Sequence, residues 1–341
     1  MPIEARRTFR LAGTVSLALA IAYASGNSTP YIAPLLAFIL TAKPEAPMPP
    51  VKLLVMAVAL AVILATGLVI APLIAKYPPV GLLLVVVGLT VSSRLSLAGE
   101  SAAVGTLLAM GLTLISALGV VSLALAQTLV VMLVIGVVIA VVSQWLVYPF
   151  FPEAGPPVTA PDSAPSSPPV GRGRAWRSVV VTLPAYLFLL VNPTGHTPVM
   201  MKSILLSQSE SVQDARESGL ELLGSTCLGG LLAVVLWFGL QIAPRLDIFA
   251  LWVLLVMVYI GKKLYVPGAT RFSSQFWIDT GVTLLIALGP AVADSLVGKD
   301  PYQAFLFRFG MFLLVAIYAW AAMVALNKLG WFRAQPGEVT A

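Results

Sequence analysis

The sequence predicts an all-α fold: a polytopic transmembrane helical bundle made of two parallel repeats of about six helices each. Three observations predict it. First, 59% of the 341 residues are apolar and only 10% are charged, with a mean hydropathy of +0.97. A soluble domain carries about 25% charged residues, and this chain lacks enough of them to cover a water-facing surface. Second, several apolar runs reach the ~20 residues that cross a hydrocarbon core as helix. Leu53–Ala75, Leu123–Val147 and Ala304–Leu326 are the clearest. Third, the chain resembles itself at an offset of roughly 167 to 170 residues, the mark of an internal duplication.

Matches in the same order and at nearly one spacing carry the duplication. Arg7-Thr8-Phe9-Arg10 returns as Arg174-Ala175-Trp176-Arg177, and Thr29-Pro30 as Thr197-Pro198. Arg94-Leu95 returns as Lys263-Leu264. The longest match pairs the nine residues from Gly111 to Gly119 with those from Gly281 to Gly289. Between the halves, residues 151–173 carry Pro152, Pro156, Pro157, Pro161, Pro165, Pro168 and Pro169 with Ser and Gly. Such a stretch has too little apolar content to fold and reads as an extended linker. The organisation is therefore repeat one over 1–150, a cytoplasmic linker over 151–173, repeat two over 174–330 and a cytoplasmic tail over 331–341.

The elements follow in chain order. Repeat one holds helices near 9–25, 30–42, 52–75, 80–93, 101–120 and 123–148. Repeat two holds helices near 177–191, 197–208, 219–242, 247–263, 275–293 and 302–327. The first resembles a secretory signal, with Arg6, Arg7 and Arg10 ahead of the apolar Leu11–Ala24. Because repeat two opens the same way, it reads as a retained helix. Tyr31–Thr41 and Pro198–Leu206 are too short to cross alone, since eleven helical residues rise only ~17 Å. Short, Pro-interrupted segments at matching positions point to a transporter's binding site; the plainer reading is a short helix leaning on protein. Small residues four apart, such as Thr113 and Ala117, Thr283 and Ala287, and Ser225 and Gly229, read as helix-packing positions.

Charge sets the orientation, because Lys and Arg concentrate on the cytoplasmic side of membrane proteins. With the N-terminus inside, the inner loops hold Arg6, Arg7, Arg10, Lys43, Lys52, Arg94, Arg172, Arg174, Arg177, Lys202, Arg216, Lys262, Lys263, Arg271, Lys328 and Arg333. The outer loops hold Lys76, Arg245 and Lys299. Both termini come out cytoplasmic. An even number of spans per half makes the repeats parallel, related by an axis along the membrane normal. The basic residues behind the net charge of +6 sit singly or in small groups between apolar runs, the pattern of membrane flanks rather than of a nucleic-acid-binding surface. Cys227 is the sole cysteine, so no disulfide forms within the chain.

The sequence has no phosphate-binding Walker loop, no H-E-x-x-H, no G-x-S-x-G and no paired-aspartate diphosphate motif, so it reads as no enzyme, with no cofactor and no metal site. Ionisable groups at membrane depth are costly and are functional candidates by default. Asp279 and Asp294 stand near the two ends of segment 275–293, and Arg308 stands in the last segment at the depth of Asp294. Asp294 and Arg308 are placed either to handle an anion and a proton or to form a structural ion pair. Glu221 opens segment 219–242 behind the polar Ser207–Glu217, which reads as an inner gate helix or a solvated loop. Arg94, at an inner helix end, is a second candidate for attracting an anion. His196 lies in an outer turn before Pro198, where it is either a titrating switch or a solvated turn residue. Pro30 and Tyr31 open the first short segment.

The pattern Arg7-x-x-Arg10-Leu11-Ala12, an apolar helix and then Pro30-Tyr31-Ile32-Ala33 resembles the opening of the fusaric acid resistance superfamily, which includes the aromatic acid exporters. Ala215-Arg216 followed by Gly224-x-Thr226-x-x-Gly229-Gly230-Leu231-Leu232-Ala233 resembles its arginine-then-glycine helix motif, and Arg271 with Asp279-Thr280-Gly281 resembles a second copy. A smaller bacterial branch of that group is the nearest in pattern. Two features depart from it: only the Pro-rich linker stands where the typical exporter carries a large cytosolic domain, and Ile32 replaces the usual aromatic. The resemblance implies export of aromatic carboxylates or related toxic compounds across the bacterial inner membrane, with a periplasmic membrane-fusion (adaptor) protein as partner. A homo-oligomer is also compatible with the sequence. The competing expectations are a passive anion channel of similar architecture and a non-transporting membrane subunit of an envelope assembly.

Overall fold

The computed structural model describes residues 1–43, 46–97, 102–153, 172–193, 200, 204, 215–266, 268–296, 306–307, 309–314, 316–318 and 320–321. The regular elements among them are helices, with no strand. In chain order they are α1 (Ile3–Ala24), α2 (Ile32–Ala42), α3 (Pro50–Lys76), α4 (Pro78–Leu97) and α5 (Ala102–Met110). A π turn (Gly111–Ile115), α6 (Ser116–Val121), α7 (Leu123–Val147), α8 (Arg172–Val191), α9 (Ala215–Ile242), α10 (Leu246–Tyr265) and α11 (Ser274–Leu296) follow.

Seven helical segments among the described residues are long and apolar enough to cross a membrane: 50–76, 78–95, 104–121, 123–150, 221–242, 246–265 and 274–292. The chain is a multi-pass membrane protein. On α3, Val58, Val62 and Val69 are exposed although the helix is apolar on every side. In water such a helix would be buried; lipid solvates it as it stands.

Three helix starts differ from the sequence reading. α9 begins at Ala215, so Glu221 lies in its second turn rather than at its start, and Ala215–Glu217 are helix rather than loop. Regular N–H to C=O bonding outweighs the local polarity there. α1 likewise starts at Ile3 and α8 at Arg172, which places both arginine repeats inside their helices.

The chain forms two compact units, each drawing on both halves of the sequence, with unit boundaries inside α3, α7 and α9. The first unit comprises residues 1–61, 128–160 and 221–313. Here α1 packs along α10 and against α2, and α2 also packs on α11. α1 turns small side chains inward: Ala12, Val15, Ala18 and Ala22 are fully enclosed, and Gly261 of α10 meets Thr8 and Leu11. Ser16 Oγ donates to the Ala250 carbonyl at 2.6 Å. The face of α10 that turns inward is Phe249, Val253, Met257, Ile260 and Gly261.

The second unit comprises residues 62–127, 161–220 and 314–341. Here α8 packs on α4, and α4 on α5 and the π turn. α8 buries Val179, Thr182, Tyr186 and Leu189, and α4 buries Gly81, Val85, Leu89, Ser92 and Ser93. Ser92 Oγ donates to the Gly105 carbonyl at 2.6 Å. The segments matched between the halves are also the most enclosed spans, 104–121 here and 274–292 in the first unit.

Candidate functional site

In the first unit a short helix meets a glycine-flattened one. α2 has eleven residues and cannot cross a bilayer alone. Backbone at membrane depth has to be buried in protein or line a cavity, and α2 is buried. At its C-terminal end the Tyr265 hydroxyl shares its one proton between the Thr41 and Ala42 carbonyls, at 3.1 and 2.9 Å, which gives a donor to a helix C-terminus whose last carbonyls lack intrahelical partners. Gln144 Nε2 donates to Thr41 Oγ1 at 2.9 Å. Gly136 of α7 admits Ile32 and Leu36.

The face toward α11 depends on two glycines two turns apart. A Cβ at Gly281 would collide with the Phe38 ring, and one at Gly289 with Tyr31 Cβ. Each glycine removes the side chain that would hold α2 off α11. Pro290 follows at once; it donates no N–H to the carbonyl four residues back and loosens α11 at this level.

Beside the N-terminal end of α2 lies a small recess with a cavity volume of about 10 Å³, room for about one water. Its aliphatic lining is Leu19, Pro34, Leu285 and Leu288, its aromatic lining is Tyr23, Tyr31 and Phe249, and Gly289 completes it. None of these residues is ionisable near neutral pH. Tyr23 and Phe249 meet edge to face, with centroids 5.4 Å apart. The Tyr23 hydroxyl donates to the Gly289 carbonyl at 3.3 Å. The lining is an apolar, ring-bearing wall with phenolic hydroxyls, and the space as it stands is too small for an organic ring.

Of the candidates chosen from sequence, Tyr31 lines this recess, and Pro30, also buried, adjoins it. Asp279 lies on α11 six residues before Leu285, about 9 Å along the axis. Its Oδ1 accepts from Gln275 Nε2 at 3.0 Å, and its backbone carbonyl accepts from Thr283 Oγ1 at 2.6 Å. Glu221 accepts from the Ser273 hydroxyl at 2.7 Å and the Ser273 N–H at 3.2 Å. Ser273 Oγ in turn accepts the Phe276 N–H at 3.2 Å, so Glu221 braces the cap of α11. Arg94 is exposed in the last turn of α4, in the other unit. His196, Pro198 and Arg308 lie outside the described residues, as does the side chain of Asp294.

The sequence reading passed over Tyr23, Phe249 and Glu153. Tyr23 and Phe249 sit inside apolar runs, where nothing distinguishes a lining aromatic from a packed one. Glu153 opens the Pro-rich stretch and reads there as a loop charge. In the structure it joins two arginines of α1: Arg7 Nε donates to Glu153 Oε1 at 2.7 Å, and Arg10 Nη1 lies 2.8 Å from Oε2. Arg10 is 4% exposed and also stacks over the Tyr148 ring, while Phe9 stacks on Phe151. Burial raises the Glu153 carboxyl, but the hydrogen bonds and charges of Arg7 and Arg10 outweigh it and hold the group below the ordinary carboxylate value.

Over residues 7–147, less than half of its length, the chain is similar to a family described as a protein of unknown function (DUF2955). That match runs from the first repeated arginine to the last residue of α7. No curated protein and no solved structure matches the chain.

Proposed function

We propose that this chain is a secondary transporter of the bacterial inner membrane that exports small aromatic carboxylates or related toxic organic compounds. The observation that carries the reading is the recess beside α2. A segment too short to cross the bilayer, at the position where duplicated transporters place their substrate sites, is held against a Pro-loosened helix and leaves a ring-lined hollow. Widening of this recess where Pro290 loosens α11 lets its wall take the ring of the substrate. Arg94 and Arg308 are the candidates for attracting a carboxylate, and Asp279 and Asp294 are the candidates for exchanging a proton.

In this reading the two halves are parallel repeats of six helices, and both termini face the cytoplasm, where cationic flanks accumulate. The match over residues 7–147 is consistent with a half-length unit of descent. The resemblance to the aromatic acid exporters supports the substrate class and a periplasmic adaptor as partner.

Two experiments test the proposal. A strain lacking the protein is screened against a panel of aromatic acids; hypersensitivity to at least one is expected, and wild-type growth on all of them refutes aromatic export. Reconstituted in proteoliposomes, an exporter stops when an uncoupler collapses the proton gradient, whereas a passive channel continues down the substrate gradient. Asp279→Asn and Asp294→Asn are then compared singly. Unchanged efflux in both removes proton coupling through these groups.

A further inference from the structure

The two units repeat one seating with exchanged partners. In the first, α1 from the first half of the chain lies on α10 from the second. In the second, α8 from the second half lies on α4 from the first. The inward faces correspond residue by residue. Every buried position of α4 given above, from Gly81 to Ser93, has its counterpart 168 residues further on in α10, from Phe249 to Gly261. Four buried positions of α1, Ala12, Val15, Leu19 and Ala22, have counterparts 167 residues further on in α8: Val179, Thr182, Tyr186 and Leu189. Equal burial at a constant spacing, on both members of both pairs, means the same helix faces are used twice.

We infer that the faces of α4 and α10 are equivalent docking surfaces, each built to receive the first helix of the opposite half. This inference rests on the duplicated reading of the chain but not on what the chain transports. It has a physical consequence. Neither half is complete alone, because each has given its first helix away. On α4, Gly81 meets Ile74 of α3 and Ser92 bonds to Gly105 of α5, while Val85, Leu89 and Ser93 complete the buried positions of a helix that also carries α8. The partner that fits the docking face of one half is therefore another half of the same kind. In this chain the two are joined covalently through the Pro-rich stretch. In a chain with one half only, a second copy would have to supply the helix.

The test uses the full-length protein with Cys227→Ser, a protease site placed within residues 154–171, and two cysteine pairs introduced separately. S16C/A250C marks the contact seen between α1 and α10. L82C/L183C marks the contact that the two spacings require between α4 and α8. Both pairs are expected to oxidise, and after linker cleavage both are expected to hold the two fragments together on a non-reducing gel. Without oxidation, the cleaved fragments are expected to co-elute in mild detergent. If L82C/L183C stays reduced while S16C/A250C closes, the two seatings are not equivalent and the inference fails. If both stay reduced and the cleaved fragments separate, the exchange itself is refuted. Neither readout involves flux, so a failed transport assay and a failed cross-link are separate outcomes.

Discussion

The two units use one plan and fill it differently. Where the first unit has Leu19 of α1 and Ile286 of α11, the second has Tyr186 and Ser116, whose hydroxyls lie 2.9 Å apart with both residues fully buried. Ser116 already donates to the Leu112 carbonyl, so Tyr186 is the donor of the pair. Residues 281–285 are regular α-helix, whereas their counterparts 111–115 form a π turn. Phe249, which walls the recess, is matched by Gly81, whose missing side chain lets α4 close on Ile74 of α3. The first unit therefore keeps a hollow. Among its described residues the second sets Gly81 against Ile74 and puts a hydroxyl pair at a π turn, a kind of irregularity that often accompanies function. Each unit serves as the other's control: a feature found in one only is not required by the shared fold.

The largest effect is expected where helix backbones touch. Gly67 of α3 meets the Gly111 carbonyl at the π turn, and Gly229 of α9 meets the Thr280 carbonyl of α11. A Cβ at Gly229 would stand 2.6 Å from its carbonyl, and one at Gly67 nearer still. Both alanine substitutions are expected to destabilise by about 3 kcal/mol or more, with Gly67→Ala the worse. Thermal unfolding in detergent ranks them; equal midpoints would mean the π turn yields where α11 does not.

Next in size is the N-terminal anchor of α1. Glu153→Gln removes the charge facing a nearly buried Arg10 and is expected to cost roughly 1.5–3 kcal/mol, the range for hydrogen bonds to charged groups. Because Glu153 titrates below its ordinary value when folded, its contribution is complete above that value and is lost as pH falls through the lowered one. Stability of the wild type is therefore expected to fall in that acid window more steeply than that of the glutamine variant. Amide exchange is expected to speed up at the start of α1 and stay unchanged in α8; loosening of both would break the distinction.

The hydroxyl pair comes third. Ser116→Ala leaves the buried Tyr186 hydroxyl without its acceptor and is expected to cost about 1–3 kcal/mol, whereas replacing both groups, with Tyr186→Phe, is expected to cost less than the sum of the singles. A double variant that keeps its stability but loses flux would assign the pair to function. The smallest effect is expected for Tyr265→Phe, about 1 kcal/mol, since α2 keeps its Gln144 contact and its packing on α11.

Hydropathy, which needs no partner to be read, placed α3, α4, α7 and α10 in the sequence to within a few residues. It also picked out α2 as too short to cross. It undervalued α1, whose arginines and small residues dilute the average; α1 has little need of lipid-soluble side chains because much of its surface faces protein. At the site, Tyr31 and Pro30 were legible as the opening of a Pro-marked short segment. Tyr23 and Phe249 were not, because a run of apolar letters does not say which side chain borders a hollow. Glu153 was hidden for a related reason. Its meaning comes from Arg7 and Arg10, 146 and 143 positions away in the chain.

By itself the sequence determined that lipid solvates much of this chain and where most of its described helices lie, and it carries the self-similarity that reads as a duplication. Those are properties of composition, run length and self-similarity, and each can be summed along the chain. Only the tertiary structure decided which half receives which first helix, where glycine lets two helices touch, and which unit keeps its hollow. Such choices turn on side-chain volume and hydrogen-bond partners that come together only when distant segments pack.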